Sequence, residues 1–542
     1  MYIEPNTTIK VYSGIPFDDT YEHTLWFPNI SAQNTYFHGG SHPTRAKYVF
    51  ATNSYQRVER GKMRIERKAD DLYDCNYLAF QNTNYGNKWF YAFITGVEYI
   101  NNVTSEITFK IDSMQTYLFD MELQECFVER EHSATDEIGD NLLPEPIDTS
   151  NIICSGYRKT DNMLKYDLII NVARYDDNGT YRYGGLTNGL MQGMTPVRYP
   201  LDGDTPLQTD SNVQAILSFL DSLASDNHQD EVISMCMFPS FYAGTAQSTV
   251  PVEVPVERLI MPTSFGNYTP KNKKLLTFPY NFIDVDCLSN HALYRYEWFG
   301  KTEQGEPYVK FTSVGTTSAQ PQIALLPVGY NGQWENTSNF SEKLVMDDFP
   351  QVGWSADSFK IWAATHSTST ALKTTGGVAS MAGGAVSLMM AGSSAGGVVG
   401  GLFGLVAGIM ALGNVANDVM VARSLPAQEF GTNTGDIDTA TRRKDFYFRF
   451  MQITEEQAKT VDDFFSMFGY ACNRVKKPAR DVRLHWNYVK TKGCHIIGSA
   501  PADEIRKVCE IYDRGITFWK DVVNVGIYHN ADGTLIDNPP VS

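Results

Sequence analysis

Ile107, Phe109 and Ile111 alternate with Glu106, Thr108, Lys110 and Asp112, the period of a half-buried strand. Val97 and Tyr99 precede them across Asn101-Asn102, which predicts a hairpin. Lys88–Ile94 reads Lys-Trp-Phe-Tyr-Ala-Phe-Ile, a more fully buried strand. From Ile9 to about Glu131 the pattern is therefore antiparallel β with little helix. Between about Asn141 and Val345 the β-like pieces are shorter: Tyr166–Val172, Leu275–Phe278 and Ile323–Leu326. One amphipathic helix is expected over Asn212–Leu223, with Val213, Ile216, Leu217, Leu220 and Leu223 on one side. Turn formers and acidic residues over Leu201–Asp210 predict an exposed loop.

Toward the C-terminus Phe446, Phe448 and Phe450 alternate as a strand. Thr454-Glu455-Glu456-Gln457 is a capping box, opening a helix whose Ala458, Val461, Phe464, Phe465 and Phe468 share a face. Gly469 ends it. Strands over Leu484–Val489 and Cys494–Ile497 flank a turn at Lys492-Gly493. Pro501 starts a second helix with Ile505, Val508, Cys509 and Tyr512 inward, and Ile516–Trp519 is a last strand. The fold class expected is mainly β with α+β parts, including a C-terminal β-α-β-β-α-β sandwich.

One segment breaks with these patterns. Thr374–Asn417 runs for 44 residues without Asp, Glu, Lys, Arg or His. Within it Gly392, Gly396, Gly400, Gly404 and Gly408 recur every fourth residue, among Val398, Val399, Leu402, Phe403, Leu405, Val406, Ile409 and Met410. Such a stripe of small residues lets helix backbones approach closely in lipid. A solvated linker needs polar residues, which Val398–Met410 lacks. As a buried helix pair, its twelve glycines would cost on the order of 10 kcal/mol relative to alanine. In a bilayer each Leu, Ile, Phe or Val gains roughly 0.3–0.6 kcal/mol. A helical run of this length reaches about 66 Å, enough for two passes of a ~30 Å hydrocarbon layer with a turn at Ser393-Ser394. The segment reads as a membrane-active, Gly/Ala-rich hydrophobic loop.

At 542 residues the chain spans several domains. Its net charge of −17 argues against ordinary nucleic-acid binding, which needs a basic face, yet suits a conduit that DNA slides through. The start has neither a basic n-region nor an apolar core, so no secretion signal is expected. The eight cysteines follow no CxxC or disulfide-framework spacing, and buried free thiols of a protein made in a reducing cytoplasm are expected. Enzyme signatures fail on inspection. Gly353-Trp354-Ser355-Ala356-Asp357 lacks the second glycine of a nucleophile elbow. Gly300-Lys301-Thr302 has Arg295 where a phosphate loop needs its first glycine. His38 and His42 flank Gly39-Gly40 instead of sharing a helix face. No catalytic residue, metal or cofactor is expected. The basic residues Arg474, Lys476, Lys477, Arg480 and Arg483 read first as a solvated loop or subunit contact, and second as a DNA-touching patch.

Several longer stretches carry a resemblance. Ile15-Pro16-Phe17 with Trp26-Phe27, Tyr85–Phe93, Phe109–Asp112 through Gln115-Thr116 to Phe119-Asp120, and Phe127–His132 are similar to the tail knob proteins of small short-tailed phages of Gram-positive bacteria. So are Phe468–Tyr470, Asn473–Pro478, Asn487–Val489 and Gly515–Thr517 with Trp519. The resemblance covers about residues 9–135 and 442–520. It implies a distal tail tube of six copies, joined to upstream tail or connector proteins. The genome would leave through it, and hydrophobic loops would plug the lumen and then enter the host cytoplasmic membrane. The division expected from the patterning together with the resemblance is 1–140, an N-terminal β-rich tube domain; 141–345, a middle β-rich knob module that the resemblance does not cover; 346–441, the loop region with its core at 374–417; and 442–542, a C-terminal α+β tube domain. Localisation would be the virion tail tip, after synthesis in the host cytoplasm. The rival readings are a receptor-binding adhesin using the middle module and a tail-borne cell-wall hydrolase.

Overall fold

The computed structural model describes residues 7–39, 46–53, 61–83, 86–149, 151–160, 166–172, 195–200, 215, 218–219, 222, 231–243, 253–255, 259–299, 308–316, 321–331, 341–349, 351–352 and 444–541. Thr374–Asn417 lies outside these residues, as do His42, Gly300–Thr302, Gly353–Asp357 and most of Asn212–Leu223. The fold is mainly β with α+β parts. The chain divides into two compact units, one of Met1–Asn151, Ser264–Thr277 and Ile453–Ser542, the other of Ile152–Thr263 and Phe278–Gln452.

The first unit opens with β1 (Thr7–Ser13), β2 (His23–Leu25), helix α1 (Ile30–His38), β3 (Tyr48–Asn53), β4 (Lys62–Ile65), β5 (Cys75–Asn82), β6 (Trp89–Asn101), β7 (Thr104–Ile111), β8 (Met121–Leu123) and β9 (Cys126–Glu131). Six of these form a sheet in the order β3-β1-β5-β6-β7-β4. The expected hairpin closes with Asn101 opposite Thr104. What read as two strands, Lys88–Ile94 and Val97–Tyr99, is one strand bent at Ile94/Gly96 by a register shift, because a bulge turns a strand without ending it. Ile107 and Phe109 are buried, as their alternation required.

A second sheet has the order β2, Ile516–Trp519, Trp486–Lys492, β9, Tyr470–Lys476. Two helices, Glu455–Phe468 and Ala502–Arg514, alternate with its strands. The first starts where the capping box placed it, with the Gln457 N–H donating to Thr454 Oγ1 at 3.3 Å. Its Ala458, Val461 and Phe465 are buried. It stops at Gly469, whose φ of 65° and tight approach to the Glu131 carbonyl exclude a side chain. Tyr470–Lys476 is a strand that periodicity did not indicate. Conversely, Leu275 and Leu276 belong to a 3-10 turn, Lys273–Leu276. That backbone is diverted by Asp462, which accepts the N–H groups of Lys271 and Asn272 at 2.7 and 3.0 Å. The core is aromatic: Phe37, Tyr77, Tyr91, Trp486, Tyr512, Phe518 and Trp519 belong to one buried cluster. Burial of each such ring stabilises by about 2–3 kcal/mol.

In the second unit, three four-stranded sheets are seen among the described residues. The first runs Ile152–Lys159, Tyr447–Ile453, Asn281–Asp286, His291–Tyr294. The second runs Thr195–Pro200, Tyr166–Val172, Val232–Pro239, Gln351–Val352. The third runs Glu253–Pro255, Phe311–Thr316, Gln322–Pro327, Leu344–Met346. Tyr166–Val172 is buried along its whole length, flanked on both sides by strands, with its two polar residues partnered: Asp167 by Arg198 and Asn171 by Ser234.

Candidate functional site

The chain leaves the described residues at Val352 and re-enters them at Lys444. Gly392, Gly396, Val398, Val399, Gly400, Leu402, Phe403, Gly404, Leu405, Val406, Gly408, Ile409 and Met410 all fall between these points, outside the described residues. The structure does show the base from which they spring. On the entry side, Gln351 and Val352 pair with Cys236 and Met235 of Val232–Pro239. Just before them Phe349 is buried and meets the ring of Phe238, on that same strand, edge-on at 5.0 Å.

The exit side is fastened to the entry side. Lys444 is only 3% exposed; its ammonium donates to the Asp348 carbonyl and lies 4.5 Å from the centre of the Phe349 ring. A buried cation needs such partners, since an isolated one is strongly disfavoured. Asp445 follows, also buried, and accepts from Thr160 Oγ1. Phe446 and Thr160 then close a reciprocal pair: the Thr160 N–H donates to the Phe446 carbonyl at 3.1 Å, and the Phe446 N–H to Thr160 Oγ1 at 3.2 Å. Residues 353–443 thus begin and end at one place, held by a cation, a ring and a strand ladder. Among the described residues, Gln351–Val352 pairs with Val232–Pro239, and Tyr447–Ile453 pairs with Asn281–Asp286.

The other sequence candidates resolve differently. His38 ends α1 and packs against the Trp89 ring, tilted, with ring centroids 4.0 Å apart and Tyr12 Oη 3.1 Å from its Nδ1. Burial, helped by Lys10, lowers its pKa to about 4, so the ring is neutral. Arg295 packs over Phe278 and Trp298 at 4.1 and 4.5 Å. The basic cluster is split up. Lys476 meets the buried Glu131, Lys477 pairs with Glu122 at 3.1 Å, and Arg483 is buried with Nε donating to the Ser133 carbonyl at 2.9 Å. Arg480 lines a small hollow beside Tyr512, and Arg474 is exposed on the edge strand Tyr470–Lys476. These five residues do not form one basic face. Among the described residues no group of His, Cys, Asp or Glu is arranged to hold a metal, and no helix is long and apolar enough to cross a membrane.

Sequence reasoning passed over the buried polar pins of the first unit. Glu145 has a wholly buried carboxylate that accepts from Arg130 and Lys274 and from the Ala471 N–H at 2.9 Å. Asp462, on the inward face of its helix, accepts from Tyr268 Oη at 2.6 Å as well as from Lys271 and Asn272. Its place one residue after Val461 and three before Phe465 was the available signal.

Comparison with known proteins identifies the chain. Residues 253–532 match the family profile for the C-terminal domain of the tail knob protein gp9 of Bacillus phage phi29. Residues 5–122 match the profile for the N-terminus of caudoviral major tail proteins. The tail knob proteins gp9 of Bacillus phages phi29 and B103 are each 25% identical to it, the first over 96% of this chain and 98% of its own, the second over 95% and 96%. The solved tail knob protein gp12 of bacteriophage C1 superposes with a TM-score of 0.55 at 14% identity, over 96% of this chain and 98% of that one; it shares the fold. The chain is accordingly a structural component of a phage virion tail. Within that class, it belongs to the tail knob protein family.

Proposed function

We propose that six copies of this tail knob protein assemble into a tube through which DNA leaves the capsid. In this reading Thr374–Asn417 plugs the lumen and later enters the host cytoplasmic membrane, with Gly392–Met410 as its penetrating core. The observation that carries the proposal is the absence of any ionisable residue over 44 consecutive positions of a chain that is 20% charged. A loop shielded inside a ring and then transferred to lipid meets a dry environment in both states. The clamped base supports this reading, because Val352 and Lys444 are each held by partners that lie outside residues 353–443. Residues 1–140 and 442–542 would build the tube, 141–345 the knob module and 346–441 the loop region.

Assembly of copies is supported by the strand Ile152–Lys159. Among the described residues it ends its sheet, and Ile152, Ile153 and Tyr157 are 40, 45 and 65% exposed. An open edge carrying apolar side chains is a template for another chain. Two other edges are blunted: β4 carries Lys62 and Arg64 on Glu106, and Tyr470–Lys476 is interrupted between Ala471 and Arg474. Removing residues 374–417 should leave six-fold rings or tubes in negative stain while abolishing dye leakage from anionic liposomes. Leakage equal to that of the full chain would overturn the membrane role; dispersed monomers from the full chain would overturn the tube.

A further inference from the structure

Three cysteines from separate elements converge beneath the helix Ala502–Arg514. Cys494 lies in the turn after Trp486–Lys492, opened by Gly493 at φ 70°. That turn is fastened to the helix by one carboxylate. Asp513 Oδ1 accepts from the Cys494 N–H at 3.0 Å and from Thr491 Oγ1 at 2.7 Å, while Oδ2 accepts from the Gly493 N–H at 3.1 Å. Asp513 is one turn beyond Cys509, so both lie on the helix face that the turn covers. The Cys494 sulfur is accordingly in hydrogen-bonding reach of the Cys509 thiol, and Cys126 completes the group. Cys126 is 6% exposed, whereas Cys494 and Cys509 are half-buried at the edge of the aromatic core.

We infer that Cys494 and Cys509 are a reactive pair that closes to a disulfide when the virion leaves the reducing cytoplasm. Thiols within hydrogen-bonding reach, one on a turn and one on the helix to which Asp513 ties that turn, meet the first demand of a disulfide, that neither backbone must move far. The co-reactant is a low-molecular-weight disulfide of the exterior. One protein thiolate attacks it, giving a mixed disulfide and releasing one small thiol. The second protein thiolate then displaces the other small thiol. Two protein thiols are oxidised, one external disulfide is reduced, and both protons end on the departing thiols. Cys126 is too enclosed to meet the reagent and remains reduced. Burial pushes both reacting thiols up, Cys494 more strongly. The thiolate is the nucleophile, so closure is slow near neutral pH and accelerates toward pH 9. The bond would fasten the helix to the sheet covalently, where Asp513 now holds it by hydrogen bonds.

The full chain carrying Cys154→Ser, which removes an exposed thiol, is incubated with oxidised glutathione at pH 9 and its thiols are counted after denaturation. The count should fall from seven to five, and peptide mapping should link Cys494 to Cys509. Adding Cys126→Ser should leave that loss of two intact, and adding Cys509→Ser should abolish it. A count that stays at seven, or a bridge mapped to any other pair, would overturn the assignment.

Discussion

His132 Nδ1 accepts the backbone N–H of Tyr488 at 2.7 Å, and this one contact fixes the proton of the ring on Nε2. Nε2 then donates to the Ser466 carbonyl at 3.0 Å, which also accepts from Trp486 Nε1 at 2.7 Å. The residue after β9, the helix Glu455–Phe468 and the strand Trp486–Lys492 are thereby joined through a neutral imidazole. Burial, with Arg483 nearby, drives the His132 pKa down to about 3. Unfolded, it would titrate near 6.5. Between those values the unfolded chain binds the extra proton, so stability is full above pH 6.5 and falls on acidification, by about 1.4 kcal/mol per pH unit for this one site. His132→Asn should lower stability at pH 7 by about 1–3 kcal/mol and flatten the acid limb. Denaturant midpoints from pH 7 to 4 measure both effects.

Asp112 acts in the opposite direction. It accepts from Tyr77 Oη, Met114 N–H and Gln115 N–H at 2.8, 3.0 and 3.1 Å, yet complete burial raises its pKa to about 6. Here the folded chain binds more protons between about pH 4 and 6. This site therefore loses stability as pH rises through that window and partly offsets the His132 and His38 losses on acidification. Asp112→Asn should make the net acid destabilisation steeper between pH 6 and 4, as read by melting temperature. An unchanged slope would mean the carboxyl titrates near its ordinary range.

Asp462 is fully buried and serves donors from the Tyr268–Asn272 segment. Asp462→Ala strands those donors and should cost about 3–5 kcal/mol in denaturant unfolding. The isosteric Asp462→Asn should lose less, because its carbonyl still accepts. Equal losses for the two variants would show that volume, not hydrogen bonding, matters there.

Where periodicity is local, the sequence was readable. The turn at Asn101–Thr104, the strand Tyr166–Val172 and the cap at Thr454 follow from residues that touch their sequence neighbours. Tyr470–Lys476 was hidden because its register breaks between Ala471 and Arg474, and Asn473 adopts φ 45°, which removes the alternation a strand should show. The same strand supplies Lys476 to Glu131, so a residue that read as part of a basic surface is half of a partly buried ion pair. The strand Tyr447–Ile453 read as the first of the C-terminal sandwich, yet it pairs with Asn281–Asp286 and Ile152–Lys159. Such partners lie more than a hundred residues away and leave no local trace. The base of residues 353–443 was equally illegible: Lys444 and Asp348 meet only in three dimensions. The charge-free run itself was legible from composition alone.

Lys444→Met keeps much of the packing on Phe349 but removes the donor to Asp348. The expected loss is about 1–3 kcal/mol at the base, concentrated where the chain enters and leaves. Limited proteolysis should then cut faster between 344 and 350 and near 444, with cleavage elsewhere in the two units unchanged. Uniform acceleration would indicate global unfolding, and no acceleration would mean the clamp is dispensable.

The run Thr374–Asn417 titrates nothing, so a single carboxyl placed in it becomes a clean probe of lipid entry. An ionised Asp at the centre of a membrane helix is disfavoured by about 2.5–3.5 kcal/mol, on the order of a hundredfold in partitioning. Leu405→Asp should therefore suppress liposome leakage strongly at pH 7. Contact with lipid raises a carboxyl pKa by desolvation, so acidification toward pH 5 should restore part of the activity by neutralising the side chain. Leu405→Asn is polar at both pH values and should show a smaller deficit with no recovery of its own. The difference between the two variants isolates the new charge from any pH response of the surrounding walls. If Leu405→Asp leaks like the unaltered chain at pH 7, residue 405 does not enter the hydrocarbon.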